Sequence, residues 1–179
     1  VYKRQKQKVD KKTSYSVTLF RVATKDKISL ATIDGVRAYY NMDSSMAKGV
    51  EFEVKHRLNR DWRTYLNYTF ESGELTSGGT TERNWDIPKH MLNFGVDYTH
   101  GNFNGVLDAQ YVGARQSVDS ISGEYGSEDS FFLTNLYLNY KFDENFKLQF
   151  AVHNLFNRHF YASEAASERT YTFGASYSF

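Results

Sequence analysis

The feature that most constrains the fold is strict period-two alternation, clearest at the end of the chain. There Tyr171, Phe173, Ala175, Tyr177 and Phe179 alternate with Thr170, Thr172, Gly174, Ser176 and Ser178. Successive side chains of a strand point to opposite faces, so this pattern gives one aromatic, apolar face and one small, polar face. The rule recurs upstream: Phe146, Leu148, Phe150 and Val152 alternate with Lys147, Gln149, Ala151 and His153. Leu136, Leu138, Tyr140 and Phe142 alternate with Asn135, Tyr137, Asn139 and Lys141. Further strands are expected over Phe103 to Tyr111, Leu92 to Tyr98 and Trp62 to Phe70. Val50, Phe52, Val54 and Leu58 mark another, opposite Glu51, Glu53, Lys55 and Arg57. A less regular strand runs from about Tyr15 to Val22, its phase slipping near Phe20 and Arg21. The expectation is an all-β fold of about eight strands.

The connections alternate in length. Asn59-Arg60-Asp61, His100-Gly101-Asn102 and Asp143-Glu144-Asn145 are tight polar turns suited to hairpins. Between them lie long polar stretches, roughly Lys25 to Ser45, Gly73 to Lys89, Arg115 to Ser130 and Arg158 to Glu168. A transmembrane antiparallel up-and-down β-barrel has this asymmetry, with short periplasmic turns and long extracellular loops. A soluble sandwich interrupts it with Greek-key crossovers.

A membrane wall and a dry core both want uncharged apolar faces, and the seven clear strands carry no Lys, Arg, Asp or Glu there. Aromatic placement separates the two. Tyr15, Trp62, Phe70, Tyr98, Phe103, Tyr111, Phe142, Phe146, Tyr171 and Phe179 lie towards strand ends, as girdles at two membrane interfaces would. The opposite face holds Glu51, Glu53, Lys55, Arg57, Arg63, Glu71, Asp97, Asp108, Lys141 and Lys147, a wet wall suited to the lumen of a wide barrel. Aromatics make up 17% of the chain while mean hydropathy is negative, a combination that excludes helix bundles in a membrane but not tilted strands.

The net charge of +1 argues against a nucleic-acid partner. Residues 1–13, which hold Lys3, Arg4, Lys6, Lys8, Lys11 and Lys12 against Asp10, are expected to form a basic periplasmic turn or tail, and 14–179 the barrel segment. The absence of Cys excludes a disulfide scaffold and a thiolate metal site. With no signal peptide before the first strand and no initiating Met, an exported parent would extend further upstream. Catalytic patterns are lacking. Gly78-Gly79 is not followed by Lys-Ser/Thr, and His56, His90, His100, His153 and His159 fall on separate elements, so neither a metal site nor a cofactor is expected. Glu51 and Glu53 share a face that Lys55 and Arg57 continue, which reads as charge balance and not as acid–base catalysis.

Several short motifs, in order, resemble the carboxy-terminal part of TonB-dependent outer-membrane receptors from about Ser14 to Phe179. They are Phe20 through Asp26-Lys27-Ile28, Gly49-Val50-Glu51-Phe52-Glu53, Asn67-Tyr68-Thr69-Phe70, Ile87-Pro88-Lys89-His90 and Tyr111-Val112-Gly113-Ala114-Arg115. Asn154-Leu155-Phe156-Asn157-Arg158, then Tyr161, Arg169 and the terminal Ala175-Ser176-Tyr177-Ser178-Phe179 complete the set. Gly49 is expected to start a strand, Pro88 to mark a strand entry, and Leu155 beside Phe156 to mark a bulge or a strand top.

The resemblance implies a barrel of about 22 strands with an amino-terminal plug and an energy-coupling box, of which this chain would hold about eight carboxy-terminal strands. It implies an outer-membrane location in a diderm bacterium, contact with outer-membrane lipid, and coupling to TonB through an amino-terminal region missing here. The final strand, with Tyr171, Phe173, Tyr177 and Phe179, resembles the signal read by the barrel-assembly machinery. Function in the resembled family is uptake of a scarce nutrient as a metal chelate, above all a ferric siderophore, with haem and cobalamin behind. Arg83, Trp85, Arg115, Tyr125, His159 and Tyr161 are the loop candidates for stacking on or pairing with such a chelate, and an ordinary loop or girdle role fits each of them as well. The alternative is a small complete eight-stranded barrel with a structural or adhesive role.

Overall fold

The computed structural model describes residues 2–33, 36–77, 79–118, 125–160 and 168–179. Its strands are β1 (Tyr2–Lys8), β2 (Thr13–Ile33), β3 (Val36–Arg57), β4 (Trp62–Ser77), β5 (Thr80–Asn84), β6 (His90–His100), β7 (Phe103–Val112), β8 (Arg115–Val118), β9 (Tyr125–Glu128), β10 (Phe131–Lys141), β11 (Phe146–His153) and β12 (Thr170–Tyr177). The main sheet runs β1-β2-β3-β4-β6-β7-β10-β11-β12, with β5 attached to β4, while β8 and β9 form a separate hairpin. Every pairing is antiparallel and every neighbour in the main path follows in chain order, the up-and-down topology expected. Among the described residues β1 and β12 each have one neighbour, so the sheet is open and is an arc of wall, not a small closed barrel.

Register carries the two faces across the arc. Phe52 pairs with Tyr68, Tyr68 with Leu92, Leu92 with Tyr111, and Tyr111 with Phe132, one outward row of apolar residues over five strands. This face has no protein cover. Among the described residues the only buried apolar side chains are Ala109, Val112, Phe131 and Val152, and none of the large ones is fully buried, whereas Phe52, Phe70, Leu107, Phe132, Phe150 and Phe173 are exposed. A sandwich would bury such a face against a second sheet. Here the solvent that suits it is hydrocarbon.

Aromatic rows bound the band. At the turn end Trp62 contacts Tyr98 with ring centroids 4.6 Å apart, Tyr98 contacts Phe103, Tyr140 meets Phe142 at 4.8 Å and Phe142 meets Phe146. At the loop end Phe70 meets His90 at 5.2 Å and Phe94 meets Phe132. From Trp62 to Phe70 the chain covers roughly 27 Å at about 3.4 Å per residue, which a strand tilt of about 35–45° reduces to about 19–22 Å of height, a little under the roughly 25 Å of an outer-membrane apolar band.

The tight turns share one device. Asp10 Oδ1 accepts from the backbone N–H of Lys12 and Thr13, Asn59 Oδ1 from Asp61 and Trp62, and Asp143 Oδ1 from Asn145 and Phe146. Those two amide donors hold the Asp10 carboxyl below its ordinary range. In each case the residue before the Asx donates its N–H to the residue three after it: Val9 to Thr13 at 3.0 Å, Leu58 to Trp62 at 3.0 Å, Phe142 to Phe146 at 2.9 Å. The fourth turn instead uses Gly101 at φ 56°, a conformation that costs a side-chain-bearing residue more. Each turn is then clasped by the next strand over, through Arg57 to Lys12, Thr99 to Asp61, Lys141 to Asn102 and Ser178 to Asn145.

Several expectations are corrected. Within 1–13, read as a turn or tail, Tyr2–Lys8 is strand β1 paired from Tyr2↔Phe20 to Lys8↔Ser14, because backbone pairing with β2 needs no apolar stripe; among the described residues the main path of the wall thus has nine strands, one beyond the seven clear and one irregular strands expected. The polar stretches 25–45 and 73–89 are largely strand: β2 and β3 pair out to Ile33↔Val36, and β4 pairs β5 out to Ser77↔Thr80. Beyond the bilayer both faces meet water, so alternation vanishes while the hydrogen-bond ladder continues. The phase slip at Phe20 is no bulge, since pairing is continuous through Phe20↔Gly49 and Arg21↔Lys48. Gly49 lies within β3 and does not start it; a Cβ there would run into the Phe20 ring and the Phe70 carbonyl, so the glycine makes room for an inward aromatic. Pro88 does precede a strand entry, at His90.

Two outcomes follow for the folded protein in detergent. Leu136→Arg, on the outward face at mid-strand, is expected to lower unfolding free energy by about 2–4 kcal/mol, against less than about 1 for Asn93→Arg on the inward face, as read by urea titration. Asn59→Ala removes two turn hydrogen bonds and is expected to cost about 1 kcal/mol in the same titration.

Candidate functional site

The inward face is built from polar side chains that the register sets in rows. Asn104 Nδ2 donates to Asp97 Oδ1 at 2.8 Å and to Thr99 Oγ1 at 3.0 Å, Asn139 Nδ2 donates to Asn104 Oδ1 at 3.1 Å, and Gln149 Nε2 donates to Asn139 Oδ1 at 3.2 Å. This amide ladder crosses β6, β7, β10 and β11. Amides suit the place because each both donates and accepts, so a row can satisfy itself without a net charge. On β3 the charges balance as expected: Lys55 Nζ lies 2.7 Å from Glu53 Oε1, and Ser16 Oγ donates to Glu53 Oε2. Where the wall must accept a bulky ring, a glycine lies under it: Tyr65 covers its cross-strand partner Gly95, which has no room for a Cβ.

At the turn end a concavity of about 380 Å³ is lined by Lys11, Lys12, Lys55, Arg57 and Arg63 with Asp10 and Asp97 among them. The lumen face is therefore basic near the turns, while Glu51 and Glu71 stand higher on the same face.

The loop end is organised by Asn154. It takes φ 53°, its N–H donates to Asn135 Oδ1 at 3.0 Å, its Nδ2 donates to the Arg158 carbonyl at 2.8 Å, and its Oδ1 accepts from Arg158 N at 2.7 Å. Leu155 N donates to the Thr134 carbonyl and Asn157 Oδ1 accepts from Arg169 N. The side chain is buried and wholly used, so 154–157 is a turn that closes the top of β11, one of the two forms expected from the broken alternation. It also brings the returning chain to β12 and lets Phe160 stack on Phe131 at 4.1 Å.

Of the loop candidates, three come together. The Arg83 guanidinium lies 4.0 Å over the Trp85 ring, and the Trp85 carbonyl accepts from Gln116 N at 3.0 Å, next to Arg115. Arg115 Nε donates to Glu128 Oε2 at 2.6 Å, closing the β8-β9 hairpin with both side chains largely covered. Register sets Arg83 opposite Glu74, and Glu74 is on the outward face, so the Arg83 backbone position is outward as well. Its Nε is covered and has no hydrogen-bond partner among the described residues. Tyr125 opens β9 opposite Val118. His159 is exposed and stands apart beside Phe160; Tyr161 lies outside the described residues. Tyr171, Phe173, Tyr177 and Phe179 are exposed along the outward side of β12 and beyond its end. Sequence reasoning missed the amide ladder and Glu74: Asn104, Asn139 and Gln149 carry no motif, and only register shows that they meet.

The same architecture is found in solved structures. The copper transporter OprC matches over 99% of this chain and 31% of its own length at 17% identity, with a TM-score of 0.75. The siderophore receptor PirA from Acinetobacter baumannii matches over 99% and 32% at 18% identity, TM-score 0.73. The ferripyoverdine receptor of the outer membrane of Pseudomonas aeruginosa matches over 98% and 27% at 16% identity, TM-score 0.70. The chain thus spans about a third or less of the length of these structures, and at such identities the likeness is one of fold. A sequence model of the family described as TonB dependent receptor-like, beta-barrel, matches residues 7–155, most of the chain. On that match the chain belongs to the TonB-dependent receptor β-barrel family.

Proposed function

We propose that this chain is part of the wall of an outer-membrane receptor of a diderm bacterium that takes up a scarce metal chelate, a ferric siderophore first among the substrates, with energy supplied through TonB. The observation that carries the reading is the unequal pair of faces: an aromatic-edged apolar face with no protein over it, back to back with a self-satisfied polar face. A wall of this kind separates lipid from a wet interior, and transport receptors are what the family comprises. In this reading residues 14–179 with β1 form an arc whose free edges are completed by further strands, because an open sheet edge leaves unpaired backbone groups in hydrocarbon. The outward aromatics of β12 are the proposed contact of the barrel-assembly machinery.

Trp85, Arg115 and His159, with Tyr125 and Tyr161, are the proposed contacts of an anionic chelate at the loop end. Arg83 acts there through its neighbour, holding the Trp85 ring by cation–π stacking. Arg115 reaches the ligand only by exchanging Glu128 for it.

Cells lacking other iron receptors and expressing the full-length receptor are expected to grow on at least one ferric siderophore under iron limitation, and to lose that growth when TonB is deleted. Growth on haem or cobalamin alone would replace the substrate, and TonB-independent growth would overturn the coupling. On the ligand so identified, Trp85→Ala is expected to weaken binding about ten-fold, the loss of about 1.4 kcal/mol, while Trp85→Phe retains most of it, as measured by ligand titration.

A further inference from the structure

The inward face of β3 and β4 changes sign with height. From the loop end downwards its cross-strand pairs are Gly49↔Glu71, Glu51↔Thr69, Glu53↔Asn67, Lys55↔Tyr65 and Arg57↔Arg63. Acids hold the outer half and cations the half nearest the turns. The two signs meet where Lys55 Nζ lies 2.7 Å from Glu53 Oε1. Below that seam Arg57 and Arg63 stand directly opposite one another in the last pair of the ladder, and both are exposed. Neither side chain has an ion-pair or hydrogen-bond partner among the described residues. Arg57 N donates to the Lys12 carbonyl, which brings the turn that carries Lys11 and Lys12 against the same end of the sheet.

The two carboxylates in the concavity do not answer this charge. Asp10 Oδ1 accepts from two turn amides. Asp97 is the cross-strand partner of Arg63, yet no ion pair forms between them, and its Oδ1 accepts from Asn104 Nδ2 at 2.8 Å and from Thr99 Oγ1 at 3.1 Å. Like charges at directly opposed positions of a strand pair destabilise it, so the arrangement carries a cost that a bound anion offsets. The rest of the lining says what kind of anion. Tyr65 lies over Gly95, where no Cβ stands in its way, and Val106, paired with Asp97, adds an apolar side chain to the inward face. Cations beside an aromatic and an aliphatic group fit an organic oxyanion better than an inorganic one. The space of about 380 Å³ lies near the lower end of small-molecule pockets, roughly 300–1,000 Å³, which suits one oxyanion-bearing arm of a larger ligand.

We propose that this concavity is a second cargo site, at the inner mouth of the barrel, in which a carboxylate or catecholate arm of the chelate pairs with Arg57 and Arg63 while its ring or chain rests on Tyr65 and Val106. The proposal rests on the uptake reading above. Planar guanidinium groups take such oxyanions by paired, charge-assisted hydrogen bonds. An anion that has passed the acidic upper wall meets here an attractive stop just before it leaves.

The test uses the full-length receptor in detergent, with salicylate as the probe of an aromatic oxyanion and salicylamide as its uncharged counterpart. Salicylate is expected to shield Lys11 and Lys12 from acetylation, read by peptide mass spectrometry. Titrating that shielding, salicylamide on wild type and salicylate on R57A/R63A are each expected to bind about ten-fold more weakly than salicylate on wild type. Equal affinity for the two probes, or salicylate affinity retained in R57A/R63A, overturns the site. Lysines already shielded without a probe, and unaffected by it, mean that another part of the receptor fills the cavity, which also overturns it. In cells R57A/R63A is expected to lower the ratio of chelate uptake to chelate bound at the surface several-fold, and a ratio equal to wild type overturns the role in transit. A receptor that carries chelate and shows no shielding by salicylate loses this site alone; one that binds salicylate at the rim but carries no chelate loses the uptake reading, and with it the assignment of the anion as cargo.

Discussion

Backbone pairing is the constraint on which the rest of this structure depends. In hydrocarbon an unpaired N–H or C=O costs several kcal/mol, so a strand that enters a membrane must give both of its edges to neighbours. That demand produces an uninterrupted antiparallel ladder from β1 to β12. Register then follows from the side chains, because a slip of one residue would turn Phe52, Leu66 and Leu92 into the lumen and Glu53, Asn67 and Asn93 into lipid. Everything functional on the wall inherits its position from this lock. The amide ladder exists because four strands hold Thr99, Asn104, Asn139 and Gln149 level and bring Asp97 within reach of Asn104.

The two ends of the wall obey different rules. At the turn end, short connections are stabilised by their own Asx side chains and clasped to the adjoining strand, which leaves little freedom. At the loop end, closure is left to longer devices such as the Asn154 turn and the Arg115–Glu128 pair. On the uptake role proposed above that division is useful, since binding loops must differ between ligands while the far rim only has to hold.

Strands 50–58, 62–70 and 92–111 were legible in the sequence because one face sees lipid and the other water, which writes period two into the residues. The turns at Asn59 and Asp143 were legible for a related reason: an Asx side chain reaching two and three residues ahead leaves a local signature. What could not be read lies where those causes stop. Strand β1 and the outer halves of β2 and β3 are set by backbone pairing, and no alternation marks a ladder with water on both sides. Phe20 looked like a phase error because its partner Gly49, which makes room for it, is far away in sequence. The loop candidates were partly legible: Arg83 and Trp85 do meet, but the outward register of Arg83 and the engagement of Arg115 by Glu128 are long-range facts.

The β2-β3 hairpin continues for fourteen residues past Leu19, from the last apolar row to Ile33. At about 3.4 Å per residue that is roughly 48 Å of paired ribbon, or somewhat over 30 Å of height once strand tilt is allowed for. Such a ribbon stands clear of headgroups and of the sugars nearest to them. Any particle too bulky to reach the membrane itself, an antibody or a phage tail among them, would touch this hairpin before it touched the rest of the wall. The ladder that holds it up, out to Ile33↔Val36, is made by main-chain groups that every residue but proline supplies, so sequence along it is lightly constrained. Among the described residues, the longest stretch beyond the apolar band is thus also one whose sequence can drift away from recognition.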